Sequence, residues 1–118
     1  MARAKGLSTR RVLFGHALRP SSLSVLTAAG VTTRRFVEIG SGSSGGNSSM
    51  LAFDFGWSGL MVEASDRKAE SLARKIAFNP RVKVVQTFVT PGNVNTLLTD
   101  HGMTGEVDFL SIDIDSTD

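Results

Sequence analysis

Three acidic residues and one glycine-rich segment are the parts of this sequence whose types and spacing could do chemistry. Glu38 stands two positions before Gly40, and Glu63 and Asp113 each follow a short apolar run. Carboxylates accept hydrogen bonds, and carboxyl groups can take up and release protons. Glycine lets the backbone approach a ligand closely because it has no Cβ atom. We therefore expect a ligand site around the glycine-serine segment 40–49.

The elements that must position these residues alternate between strand and helix patterns. Short runs rich in β-branched and apolar residues predict strands at 36–39, 60–63, 82–89 and 107–114. Helix patterns lie between them, at 47–56, 66–78 and 91–102. Strands separated by helices of this length form right-handed crossovers in a parallel sheet. We predict an α/β, Rossmann-like fold of three layers, with four parallel strands in the order 3-2-1-4.

This topology would gather the three acids, because all carboxyl ends of a parallel sheet face the same side. Asn47 or Ser48 is predicted to begin the first of the three helices and Asp66 the second. The strand at 82–89 is predicted to be an edge strand because polar residues interrupt it.

The start of the chain differs in charge from the rest. Residues 1–35 carry seven basic side chains and no acidic one, whereas 36–118 carry six basic and eleven acidic side chains. We interpret 1–20 as an irregular basic lead-in and 21–118 as one domain, which opens with a short helix at 23–29. Nucleic-acid binding is disfavoured because a single aromatic residue, Phe14, lies among the basic ones of residues 1–35.

Composition excludes several classes of protein. The chain has no cysteine, which removes disulfides, thiolate metal sites and cysteine nucleophiles and fits a cytoplasmic location. No apolar run approaches the roughly 20 residues that a membrane span requires.

The glycine segment fits two kinds of nucleotide ligand. Gly40 to Gly45 satisfies the dinucleotide pattern G-x-G-x-x-G, and Glu63 stands about 20 residues further on, as that pattern requires. Glu38 argues against this interpretation, because a pyrophosphate binds helix-terminal amides away from other anions. An acid at this position suits a cationic ligand such as the ammonium and sulfonium of S-adenosylmethionine. Glu63 would accept hydrogen bonds from the ribose hydroxyls.

An ordered set of motifs resembles one enzyme superfamily. The residues Glu38-Ile39-Gly40-Ser41-Gly42 resemble the E/D-x-G-x-G signature of class I S-adenosylmethionine-dependent methyltransferases. The later stretches GWSGLMVEAS, NPRVKVVQTFVTPGNVNTLL and VDFLSIDID are similar to a branch near the FkbM-like enzymes. The resemblance covers about residues 36–118.

The resemblance implies a role for each residue of the site. Glu38, Gly40 and Gly42 would line the methionine part of S-adenosylmethionine, and Glu63 would bind the ribose. Phe88 and its neighbours after the third strand would flank the adenine, and Asp113 would face the methyl-transfer site as the candidate catalytic residue. Ser41 and Ala64 complete the set of residues expected to contact the cofactor. The methyl acceptor is not identified.

The superfamily fold continues with three more strands beyond the fourth. We therefore expect this chain to hold the cofactor-binding half, with Ser116 in place of the glycine that often follows the acids of strand four. An uncovered fourth strand would be an exposed edge through which two copies of the chain could pair.

Other interpretations of the same residues stay open. Asp113 and Asp115 lie on one face of a strand and could bind Mg²⁺, although solvated acids are the favoured interpretation and we predict no metal. Ser44 stands in a G-x-S-x-G pattern typical of hydrolases, but too little chain precedes it for that fold. A non-catalytic nucleotide-binding or scaffold module and an NAD-dependent oxidoreductase are the alternative functions.

Overall fold

The computed structural model describes residues 33–113. The basic lead-in at 1–20, the helix predicted at 23–29, and Asp115 and Ser116 lie outside the described residues. No helix within 33–113 combines the length and the apolar character needed to cross a membrane.

The described chain alternates strands and helices. The strands are β1 (Arg35–Ile39), β2 (Ser58–Glu63), β3 (Val82–Gln86) and β4 (Phe109–Ile112). The helices are a 3-10 turn (Gly46–Ser48), α1 (Ser49–Phe53), α2 (Asp66–Lys75) and α3 (Val94–Asp100). All strand pairs are parallel, and the order is β3-β2-β1-β4. The predicted α/β, Rossmann-like topology is confirmed.

The strand order creates a switch point beside β1. The chain passes from β1 outward to β2 and β3, and then crosses back to place β4 on the other side of β1. Glu38 pairs with Met61 of β2 and with Ser111 of β4. Ligands of open α/β sheets bind at the carboxyl ends of the strands at such a switch point.

Two apolar cores cover the two faces of the sheet, because side chains alternate between faces along each strand. One core joins the sheet to α3 through Val37, Ile39, Leu60, Val62, Leu98, Val107 and Leu110. The other joins it to α1 and α2 through Phe36, Leu51, Trp57, Met61, Leu72, Ile76 and Phe109. The predicted three layers are therefore present.

The helices differ from their predicted bounds. Ser65, and not Asp66, is the N-cap of α2, since its hydroxyl accepts a hydrogen bond from the Lys68 amide at 3.3 Å. The helix α2 ends at Lys75 instead of residue 78. The helix α1 ends at Phe53, so that Phe55 lies outside it and is 42% exposed. Ser48 precedes α1 as predicted, but its hydroxyl makes no capping bond to the helix.

Gly59 on β2 is a position at which the close packing of the core beneath α1 and α2 can be tested. A methyl group at this position would overlap the ring of Phe36, which is fully buried in the adjacent strand. Overpacking of this kind costs about 1–3 kcal/mol. We expect Gly59→Ala to lower the free energy of unfolding by about that amount, measured by urea denaturation followed through the fluorescence of Trp57, the single tryptophan.

Gly92→Ala is the matched control for this prediction. A methyl group at Gly92 would meet Thr90 Oγ1 at an ordinary 3.7 Å. We expect a change within about 0.5 kcal/mol, as for surface positions in general. An unchanged urea midpoint in Gly59→Ala would contradict the close packing of Phe36 against β2.

Candidate functional site

A cavity of about 320 Å³ lies at the carboxyl ends of the strands. Six of the eight residues predicted to contact a cofactor line it: Gly40, Gly42, Glu63, Ala64, Phe88 and Asp113. The volume falls at the lower end of the roughly 300–1,000 Å³ typical of small-molecule sites. The other two residues, Glu38 and Ser41, are buried and do not line this cavity.

The loop after β1 is fastened to the end of β2. The amides of Gly40 and Ser41 both donate to the carbonyl oxygen of Val62, at 2.8 and 3.1 Å. Gly42 has a φ of +63°, in the left-handed region that favours glycine. The chain turns there and directs the Gly42 amide at the carboxylate of Glu63.

Glu63 accepts one backbone hydrogen bond on each carboxylate oxygen. The amide of Gly42 donates to Oε1 at 2.7 Å, and the amide of Ser65 donates to Oε2 at 2.9 Å. An ionised carboxylate offers about four lone-pair sites, so acceptor capacity remains for a ligand. The side chain is held in place at the cavity rim by the loop on one side and the start of α2 on the other.

Glu38 lies beneath the loop and is fully buried. Its Oε1 accepts two hydrogen bonds from Ser48, one from the amide at 2.8 Å and one from the hydroxyl at 2.7 Å. This explains why the Ser48 hydroxyl does not cap α1. A Cβ atom at Gly46 would lie 2.9 Å from the Glu38 carboxylate, so the loop closes over Glu38 only because residue 46 is glycine.

A polar pair flanks Glu38 on the β4 side. Ser111, its neighbour across the strand pair, is fully buried, and its hydroxyl accepts a hydrogen bond from Asn47 Nδ2 at 2.9 Å. Burial raises the pKa of Glu38 from 4.5 to about 7, although the hydrogen bonds from Ser48 and the nearby hydroxyl of Ser111 act in the opposite direction. The negative charge of Asp113 adds a smaller upward contribution.

The position of Glu38 changes the reason why a phosphate is disfavoured. The sequence predicts electrostatic repulsion by an acid facing the ligand, whereas the carboxylate is turned inward onto Ser48. The amide before α1 is therefore already bonded to a carboxylate and is not a free donor for a pyrophosphate. A contact between Glu38 and a ligand stays a prediction.

Asp113 and Lys68 carry opposite charges at the cavity. Asp113 follows β4, is exposed, and its amide donates to the carbonyl oxygen of Ile39 at 2.8 Å. Lys68 comes from the first turn of α2 and was not predicted as a site residue. The sequence could have indicated this residue: once Ser65 is recognised as the N-cap, Lys68 falls in the first turn of α2, which begins beside the cavity.

Phe88 lies on the segment that follows β3 and is 59% exposed. Thr87 and Val89, its neighbours in the stretch predicted to flank the adenine, line the cavity beside it. The amide of Thr87 donates to the carbonyl oxygen of Glu63 at 3.1 Å. An exposed aromatic ring at a cavity offers a flat apolar surface for a planar ligand.

The metal and hydrolase interpretations gain no support from residues 33–113. Within this range no three His, Cys, Asp or Glu side chains group closely enough to hold a metal ion. His101 Nδ1 lies 2.8 Å from the carbonyl oxygen of Leu97 at the end of α3. A hydrolase with Ser44 as its nucleophile would need a histidine beside it. The helix α3 runs from the carboxyl end of β3 to the amino end of β4, so His101, at the end of α3, lies at the opposite end of the strands from Ser44.

The raised pKa of Glu38 makes the free energy of unfolding depend on pH. The folded-state pKa of Glu38 is raised from 4.5 to about 7, so the folded protein binds its proton more tightly than the unfolded chain. The stabilisation of the folded state by this proton is fully present below pH 4.5 and is lost as the pH rises through about 7. The size of that loss is on the order of 3 kcal/mol.

Glu38→Gln removes the titrating group and keeps an acceptor oxygen for Ser48. We expect this variant to be more stable than the parent at pH 8 and to lack the fall in stability between pH 5 and 8, measured by urea denaturation at several pH values. Glu70→Gln makes the same change at an exposed position on α2 and should keep the parental profile. An unchanged profile in Glu38→Gln would contradict the assignment.

Comparison with known proteins identifies no relative of this chain. No family model, no curated protein and no solved structure matches the chain. A functional conclusion therefore depends on the geometry of the cavity and on the chemistry of the residues around it.

Proposed function

We propose that this chain binds S-adenosylmethionine at the cavity beside β1 and is a class I S-adenosylmethionine-dependent methyltransferase, or the cofactor-binding part of one. The methyl group would pass to an acceptor that is not yet identified. The proposal combines the resemblance of the motifs with the arrangement of hydrogen bonds in the loop.

One observation carries the proposal: two amides of the glycine loop region are already bonded to carboxylates. The amide of Gly42 donates to Glu63, and the amide of Ser48 donates to Glu38. Dinucleotide-binding loops keep such amides for the pyrophosphate. A phosphate at this loop would have to displace the two carboxyl groups from these amides, whereas a nucleoside with a cationic substituent does not require free amides there.

The residues at the cavity fit the parts of the cofactor. Glu63 retains lone pairs that could accept hydrogen bonds from the two ribose hydroxyls. The exposed ring of Phe88 offers a stacking surface for the adenine. Asp113 supplies a negative charge at the carboxyl end of β4, near which a sulfonium would be stabilised.

The chemistry proposed for the chain is mainly positional. S-adenosylmethionine, when bound, supplies a methyl group activated by the positive sulfur. The residues of this chain hold the ribose and base and keep the methyl group oriented toward an acceptor, and orientation of this kind contributes much of a rate enhancement. Asp113 is the candidate to orient the acceptor or remove its proton.

Partners and location belong to the same proposal. Within the described sheet β4 is an edge strand, and edge strands can pair with another chain, so we propose that two copies associate there. The absence of cysteine supports a reducing, cytoplasmic location. We propose no nucleic-acid partner.

Lys68 favours a second candidate function. Its ammonium group is the cationic side chain among the described residues that line the cavity, and a cation at this position could bind a phosphate of NAD. An NAD-dependent oxidoreductase is therefore the alternative that the experiment must separate. A non-catalytic nucleotide-binding module would bind S-adenosylmethionine without transferring its methyl group.

Calorimetric titration with S-adenosylhomocysteine and with NAD tests the proposal. We expect saturable binding of S-adenosylhomocysteine and none of NAD. Glu63→Gln should weaken the first ligand by about 10-fold or more, because it removes a charged acceptor whose hydrogen bonds contribute roughly 1.5–3 kcal/mol. The glutamine oxygen can still accept a hydrogen bond from Gly42, but its NH2 group cannot accept from the Ser65 amide. The urea midpoint of the variant is therefore measured beside its affinity, to show that the fold is kept.

Glu70→Gln is the matched control, since it makes the same change on the exposed face of α2. It should leave the affinity for S-adenosylhomocysteine unchanged. Binding of NAD alone would replace the methyltransferase with the oxidoreductase, and binding of neither ligand would favour a scaffold module.

A further inference from the structure

The ring of Phe88 receives little support from packing. Its side chain is 59% exposed, and it lies on the segment between Gln86, where β3 ends, and Val94, where α3 begins. A ring that is not enclosed by neighbours is positioned mainly by its backbone. The contacts that fix the backbone of 87–93 therefore decide where this surface lies relative to the cavity.

Thr90 and Asn93 form a reciprocal pair of hydrogen bonds in this segment. The amide of Thr90 donates to Asn93 Oδ1 at 2.8 Å, and the amide of Asn93 donates to Thr90 Oγ1 at 3.2 Å. The pair has the reciprocal hydrogen-bond pattern of a capping box, but it spans the turn 90–93 that precedes α3, whose N-cap is Asn93. It fixes the turn that leads into α3.

Asn93 makes one further bond that a capping box does not require. Its Nδ2 donates to the carbonyl oxygen of Phe88 at 2.8 Å. The side chain thus accepts from Thr90 and donates to Phe88 at the same time. Only an amide side chain of this length has both an acceptor and a donor in one plane, since a carboxylate only accepts.

We propose that Asn93 is a positioning residue for ligand binding, which holds the backbone of Phe88 so that its ring faces the cavity. The inference rests on the proposed function, because Phe88 would contact the base of the ligand. A surface that is fixed before the ligand arrives loses less conformational freedom on binding, and affinity rises accordingly. Asn93 itself does not line the cavity and acts through Phe88.

Asn93→Asp separates positioning from stability. Aspartate keeps the acceptor for the Thr90 amide and adds a negative charge at the start of α3, where the helix dipole favours it. It loses the donor to the Phe88 carbonyl oxygen and faces that oxygen with a like charge. We expect little change in stability to urea, because the lost hydrogen bond and the gained helix-dipole interaction are of similar size and opposite sign. We also expect a loss of affinity for S-adenosylhomocysteine of about 2-fold to 10-fold, as for one hydrogen bond.

Thr96→Asp is the charge-matched control, because it introduces the same charge three residues later on the exposed side of α3. It should bind S-adenosylhomocysteine as the parent does. Phe88→Ala supplies the second control. In that background Asn93→Asp should have no further effect on affinity, because the ring that Asn93 positions is gone.

The outcomes are distinguishable. If the parent does not bind S-adenosylhomocysteine, the proposed function and this inference both fail. If the parent binds and Asn93→Asp binds equally well, the positioning role is overturned while the proposed function stands. A loss of affinity of the same size with and without the Phe88 ring would overturn the role of Phe88 as the group that Asn93 positions.

Discussion

The site depends on one buried carboxylate. Glu38 stands on β1, which pairs with β2 on one side and β4 on the other, and its Oε1 accepts hydrogen bonds from the amide and the hydroxyl of Ser48. This contact draws the loop down onto the sheet and fixes where α1 begins. It also requires glycine at residue 46, where any Cβ atom would collide with the carboxylate. Burial of the charge has a cost, which appears as a pKa raised to about 7.

A second carboxylate, that of Glu63, binds the loop from the cavity side. Glu63 holds the Gly42 amide and the Ser65 amide, so that it links the loop after β1 to the start of α2. The two acids therefore occupy donors that dinucleotide-binding proteins direct at phosphate. What remains at the cavity is carboxylate oxygen, the ring of Phe88 and the ammonium of Lys68. The carboxylates and the ring are the basis for proposing a nucleoside ligand with a positive charge, whereas Lys68 is the group that would favour a phosphate.

Much of the fold and the site could be predicted because both follow local patterns. The alternation of apolar strands with capped helices is enough to predict parallel pairing, and the strand order was obtained correctly. The positions of Glu63 and Asp113 at strand ends predict that they gather at one end of the sheet, and both line the cavity there. Helix bounds were less predictable, because Ser65 and Asp66 are both good N-cap residues. Only the bond from the Lys68 amide decides between them.

The sequence by itself determined the layers, the parallel sheet and the end of the sheet at which the acids gather, since these depend on periodicity and on the shared direction of the strands. The tertiary structure decided which way each acid faces. Glu38 and Glu63 have the same type of side chain on neighbouring strands, yet one is sealed under the loop and the other opens to the cavity. The reason is that the partners of a carboxylate, Ser48 for Glu38 and Gly42 for Glu63, come from a loop whose path only the packed fold defines.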